Sequence, residues 1–173
     1  MVNYSELLKN YKELLHHIRC FVFDVDGVLT NGTLLVASDG EFLRMMNIKD
    51  GYAIQHAVKH GFQVAVISGG HSSGVPVRMK RLGVEHIFMG VEDKKKKLIE
   101  LLSELKLDMA NVLYMGDDIP DIEVMQCCRL AACPNDAVPE VKQVSHYISP
   151  VKGGEGCVRD VIEQVMKLNG KWH

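Results

Sequence analysis

Asp24 and Asp26 stand two positions apart behind the short apolar run Phe21-Val22-Phe23, and Gly27 follows them. Two carboxylates that close repel each other unless a cation or a shared proton relieves them. Oxygen ligands point to Mg²⁺ as that cation. A solvated Asp-Gly turn closing a strand is the plainer alternative. Ser68, followed by Gly69 and Gly70, closes a second apolar run, Val64-Ala65-Val66-Ile67. Val112-Leu113-Tyr114-Met115 runs into Gly116-Asp117-Asp118, with Asp121 about one turn on, and Lys94 heads a run of four lysines. The combined set suits phosphoryl transfer. One carboxylate is a nucleophile and a second an acid/base; a metal neutralises charge, and a hydroxyl and an ammonium hold phosphoryl oxygens.

These groups can act together only if the chain brings them to one edge. The apolar runs are too short for helices and read as buried strands. Strands are expected at 20–26, 64–67, 86–89, 112–115, 130–133 and 146–149. Helices are expected at 3–17, 51–60, 72–82, 94–106, 120–127, 137–143 and 157–168, with Pro76 confined to a first turn. Residues 33–38 and 42–47 flank Ser38-Asp39-Gly40, a hairpin signal. Alternating β and α elements imply an α/β fold: a Rossmann-like three-layer arrangement, a parallel sheet with helices on both faces, plus a protruding β-hairpin. Parallel strands share their carboxyl ends, where open α/β sheets put their ligands.

A chain of 173 residues suits one domain, expected over 1–173 with the hairpin at about 33–47. A net charge of −2 gives no basic surface for nucleic acid. No apolar stretch reaches membrane-spanning length, and the N-terminus lacks a secretory signal. Cys20, Cys127, Cys128, Cys133 and Cys157 have no metal-ligand spacing and are expected as reduced, packed thiols in a cytoplasmic protein.

The four segments, in this order, resemble the motifs of the haloacid dehalogenase-like phosphohydrolase superfamily. That resemblance implies roles. Asp24 would attack phosphorus and form an aspartyl-phosphate, and Asp26 would protonate the leaving alcohol and then activate water. Ser68 and Lys94 would hold the phosphoryl group. Asp24, the Asp26 carbonyl and Asp117 would bind Mg²⁺, supported through water by Asp118 or Asp121. Lys94 is favoured over Lys95 to Lys97 because it falls at the helix start.

Many members carry a cap domain over the site. Here 44 positions separate Asp24 from Ser68, and a hairpin, a helix and a strand fill them. Another 26 positions separate Ser68 from Lys94, and a helix and a strand fill those. No cap domain fits, so something else must shield the site. The hairpin, apolar on both faces through Leu34, Leu35, Val36, Phe42, Leu43, Met45 and Met46, is expected to pack between subunits or, alternatively, against its own sheet.

A closer resemblance, over about residues 15–168, is to the 3-deoxy-D-manno-octulosonate 8-phosphate phosphatase family. It is carried by Asp24 to Leu29, the hairpin, Asn47-Ile48-Lys49-Asp50-Gly51-Tyr52, Leu82-Gly83-Val84, the Gly116 to Asp121 segment and Gly153-Gly154-Glu155-Gly156-Cys157-Val158-Arg159. It implies a cytoplasmic, Mg²⁺-dependent homotetramer acting on a small phosphorylated sugar acid of lipopolysaccharide biosynthesis. Substrate would meet Asp26, Asn47, Ile48, Lys49, Asp50, Gly51, Gly69, Arg78 and Lys94. The glycine-rich segment near Arg159 would border a neighbouring site. The chain departs from the family where Gln55 and Gly70 stand in place of arginines, with Lys49 and Arg78 as compensation. A phosphatase for a nine-carbon sugar-acid 9-phosphate is the alternative. A non-catalytic oligomerisation domain related to sugar-acid cytidylyltransferases is the alternative of another class.

Overall fold

The computed structural model describes residues 13–172. Residues 13–16 are helical; the remainder of the helix expected from residue 3 lies outside the described residues. In chain order, β1 (Cys20–Phe23) is followed by the hairpin strands β2 (Leu35–Val36) and β3 (Phe42–Leu43). Then come α1 (Ile48–Lys59), β4 (Gln63–Ile67), α2 (Gly74–Arg81), β5 (His86–Phe88) and α3 (Lys94–Leu105). The chain continues with β6 (Val112–Met115), α4 (Ile122–Met125), β7 (Leu130–Cys133), α5 (Pro139–Val144), β8 (Tyr147–Ile148) and α6 (Cys157–Leu168). The elements fall where periodicity put them, with shifted ends. α1 begins three residues before the expected position, because the Asn47 side chain accepts from Lys49 N and caps the helix there.

Six strands form one sheet in the order β5-β4-β1-β6-β7-β8, and every pair is parallel. The chain leaves β1 toward β4 and β5, then returns to its other side for β6, β7 and β8. β1 therefore sits at the switch point, where a crevice opens at the strands' carboxyl ends. Alternate β1 residues feed the two cores. Phe21 and Phe23 pack with α1, α2 and α6, whereas Cys20 and Val22 pack with α3, α4 and α5. This is the three-layer architecture expected.

Between Asp24 and Ser68 the structure holds only the hairpin, α1 and β4, and no cap. The hairpin pairs Leu35 with Leu43 and Val36 with Phe42. Its side chains project away from the sheet: Leu35, Val36, Leu43 and Met45 are 51–83% exposed. Met46 packs against the core instead. The described cysteines are free thiols. Among the described residues, no helix is long and apolar enough to cross a membrane.

Candidate active site

The carboxyl ends of β1, β4 and β6 meet at one cavity of about 340 Å³, lined by Asp24, Asp26, Ser68, Gly69, Lys94, Asp117 and Asp121 among others. The parallel register sets the convergence: Phe23 pairs with Val66 on one side and with Met115 on the other. Each strand therefore releases its polar residues at the same level. Beyond β1 the chain makes a tight turn in which Gly27 has φ +87°. A Cβ there would overlap the Asp117 carboxylate, so glycine is needed both for the backbone and for the space.

Lys94 is the buried member of its lysine run. Asp93 caps α3 by accepting from Lys96 N, which turns Lys94 inward. Its ammonium lies 3.1 Å from Asp24 Oδ2 and 2.8 Å from Asp121 Oδ1. Lys95 and Lys97 pair instead with Glu123 and Glu100 at the surface. Asp121 is fully engaged: Oδ1 also accepts from the Tyr114 hydroxyl and Oδ2 from Asp117 N. It holds Lys94 in place. Asp118 is exposed and caps the next turn through Ile119 N. Ser68 is buried, and its Oγ accepts from Gly70 N at 3.1 Å.

Three carboxylates, Asp24, Asp117 and Asp121, each offer an oxygen within 4.8 Å of the others. One ammonium faces them. Burial, and then the neighbouring Asp121 charge, push the Asp24 carboxyl up to about 6. Burial, and then Asp24, push Asp117 up to about 8. Burial alone would lower Lys94, but its two carboxylate partners outweigh it and hold the ammonium above its usual range. Asp24 Oδ1 and Asp117 Oδ1 are buried without a hydrogen-bond partner among the described residues. Two orphaned carboxyl oxygens facing one cavity fit a hard divalent cation, with Asp24 and Asp117 as the available ligands.

The other expected substrate residues lie apart from this cavity. Asn47, Ile48 and Lys49 border a separate hollow of about 420 Å³ beneath the hairpin. Asn47 also donates to Gly154 O at 3.1 Å. Asp50 is buried and accepts from Arg159 N at 2.7 Å, tying α1 to the start of α6. Arg78 lies across Gly51, where a Cβ would overlap its guanidinium. It lines a third cavity of about 560 Å³ between the hairpin and α2, and it makes no ion pair among the described residues. Arg159 pairs with Glu163 on its own helix and lies over the Tyr52 and Trp172 rings. The glycine-rich segment braces the turn behind Asp26: Gly154 N donates to Val28 O, and a Cβ on Gly153 would overlap Gly27 O.

Arg44 is a residue of this site that sequence reasoning did not single out. It donates through Nε and Nη2 to both carboxylate oxygens of Asp26, at 2.7 and 2.9 Å. The signal was a lone cation within Phe42-Leu43-Arg44-Met45-Met46. It also bears on the departure at Gly70. A Cβ at position 70 would lie 3.1 Å from Arg44 Nη2, so a guanidinium approaches that spot from the hairpin.

A sequence model of haloacid dehalogenase-like hydrolases matches residues 86–161. The 3-deoxy-D-manno-octulosonate 8-phosphate phosphatase KdsC of Escherichia coli K12 is 35% identical over 155 residues, which is 90% of this chain and 82% of that protein. The chain belongs to the haloacid dehalogenase-like hydrolases, among the relatives of KdsC. Its solved relatives share the fold. The Yersinia pestis 3-deoxy-D-manno-octulosonate 8-phosphate phosphatase superposes with a TM-score of 0.91 at 33% identity, over 94% of this chain and 88% of that one. The Moraxella catarrhalis enzyme, solved with magnesium, phosphate and KDO, gives 0.89 at 31% identity, over 96% and 93%. This haloacid dehalogenase-like hydrolase is a phosphoric monoester hydrolase of the KdsC type.

Proposed function

We propose that the chain hydrolyses 3-deoxy-D-manno-octulosonate 8-phosphate to the free sugar acid and phosphate, in lipopolysaccharide biosynthesis in the cytoplasm. The observation that carries the chemistry is the meeting of Asp24, Asp26, Ser68, Lys94 and Asp117 around one cavity. The identity to KdsC supports the substrate.

Asp24 attacks phosphorus, forming an aspartyl-phosphate as the ester P–O bond breaks. The departing alkoxide takes a proton from Asp26. Water then attacks the same phosphorus and gives its proton to Asp26; phosphate leaves and the Asp24 carboxylate returns. The Ser68 hydroxyl and the Lys94 ammonium hold the phosphoryl oxygens, and Asp121 keeps Lys94 aimed. Asp24, Asp117 and the Asp26 carbonyl would hold Mg²⁺, which when bound offsets the charge of the carboxylates and the phosphoryl group. The sugar acid's own carboxylate suits Arg78, a guanidinium without an ion pair among the described residues that lines a cavity beside the site. The exposed hairpin would cover a neighbour's site in a homotetramer, and Asn47 to Lys49 beneath it would complete that enclosure.

The test is phosphate release with Mg²⁺ across eight- and nine-carbon sugar-acid phosphates, hexose phosphates, nucleotides and a phosphopeptide, run beside Asp24→Asn. A preference for the eight-carbon acid is expected. Preference for the nine-carbon acid would move the substrate; turnover that survives Asp24→Asn would refute the mechanism. Size-exclusion with light scattering tests the assembly, and an active, dilution-stable monomer would refute it.

A further inference from the structure

We propose that Arg44 is a positioning residue for Asp26, fixing the plane of its carboxylate from the hairpin. The inference rests on the reading of Asp26 as the proton carrier. One guanidinium makes four contacts. Nε and Nη2 reach both Asp26 oxygens, and Nη1 donates to Phe42 O at 3.0 Å and His71 O at 3.1 Å. The side chain is only 4% exposed, although it springs from a hairpin whose apolar side chains are mostly open to solvent. Asp26 itself is 33% exposed and lines the cavity.

A bidentate fork fixes both the direction and the rotation of a carboxylate, which a single point charge does not. Asp26 has no other side-chain partner among the described residues, so its orientation depends on Arg44. The space is also prepared. A Cβ on Gly70 would lie 2.9 Å from Asp26 Oδ2 and 3.1 Å from Arg44 Nη2, so a glycine keeps the pair undisturbed. His71 O anchors the guanidinium to the loop after β4, which carries Ser68. The proton carrier, the phosphoryl-holding loop and the hairpin are thereby joined through one side chain.

The steps that use Asp26 separate from those that do not when the leaving group needs no proton. With p-nitrophenyl phosphate, aspartyl-phosphate formation runs without Asp26, whereas its hydrolysis still needs Asp26 as base. Arg44→Gln, with Mg²⁺ present, is therefore expected to release one p-nitrophenolate per site in a burst within threefold of the wild-type rate. Steady turnover should then fall about 10²-fold, the order of loss for a catalytic group misplaced by an ångström. Arg44→Lys keeps the charge without the fork and should show the same burst with a smaller slowing; it also serves should the glutamine variant fold poorly. A burst and steady rate that fall together, or wild-type kinetics in both variants, would overturn the proposal. Asp26→Asn separates the two readings. If it shows the burst and the Arg44 variants do not, only the role of Arg44 falls. If it shows none, the proton-carrier reading falls, and this proposal with it.

Discussion

Binding of Mg²⁺ should release protons, in a number that depends on pH. Asp24, Asp117 and Asp121 share a cavity with one ammonium, and without a metal the excess negative charge is relieved by protonation. Asp117 is pushed up to about 8 and Asp24 to about 6, burial being the main cause of each. A carboxyl that ligates a metal must first lose its proton. At pH 9 both are ionised and about a tenth of a proton leaves per ion. At pH 7 Asp117 is roughly nine-tenths protonated, so about one proton leaves and the apparent affinity is roughly tenfold weaker. At pH 5 nearly two protons leave and the loss reaches about 10⁴-fold. Affinity should therefore rise about one decade per pH unit between 6 and 8, and approach two decades per unit below 6. Calorimetric titration with Mg²⁺ in two buffers of different ionisation heat counts the protons directly. Asp117→Asn should bind more weakly and lose the slope between pH 6 and 8. An affinity that is flat across that range in the wild type, with no proton released at pH 7, would refute the reasoning.

Asp24→Asn should cost on the order of 10⁵–10⁶ in turnover, as for other removed nucleophiles, yet leave the metal-free melting temperature unchanged or higher, because one repelling charge is gone; a large fall in stability would contradict the crowding described. Lys94→Met leaves Asp24 and Asp121 buried without their cation and should destabilise by about 3 kcal/mol in urea unfolding at pH 8 without divalent ions; a change under 0.5 kcal/mol, on the order of a neutral surface substitution, would refute it. Asp50, 1% exposed, has its carboxyl pushed up to about 6 by burial, against about 3.9 in an unfolded chain. Between those values the folded state holds a proton that the unfolded state has lost, so this group's contribution to stability falls as pH rises from about 4 to 6. Asp50→Asn keeps an acceptor for Arg159 N and should gain on the wild type by up to ~3 kcal/mol across that window; parallel stability curves would refute it.

Much of this fold was legible because period and punctuation agree. Strands β1, β4 and β6 are apolar runs closed by small or acidic residues, and the common direction of parallel strands gathers those residues without further information. The identity of the inward lysine was legible too, since Lys94 falls at the expected helix start. What was hidden lies between elements distant in sequence. Tyr114 reads as one more apolar strand residue, yet its buried hydroxyl bonds Asp121. Asp50 stands just before the expected helix and reads, by resemblance, as a substrate residue, yet it is buried against Arg159 N of another helix. Arg44 reads as the solvated residue of a hairpin, and only the fold of the hairpin over the loop after β4 brings it to Asp26. Periodicity sees which face a residue takes, not what stands opposite.

The brace behind Asp26 comes from the far end of the chain. Cys157 Sγ meets Val28 O across 129 positions, and Asn47 meets Gly154 O across 107. During synthesis the first aspartates therefore emerge long before the segment that fixes their loop. At about 5–20 residues per second the delay is on the order of ten seconds. A nascent chain that has released β1, β4 and β6 still lacks the contacts that residues 153–157 make with the turn over Gly27. Activity should accordingly be among the last properties the growing chain acquires, and non-local closure of this kind places the site late in folding.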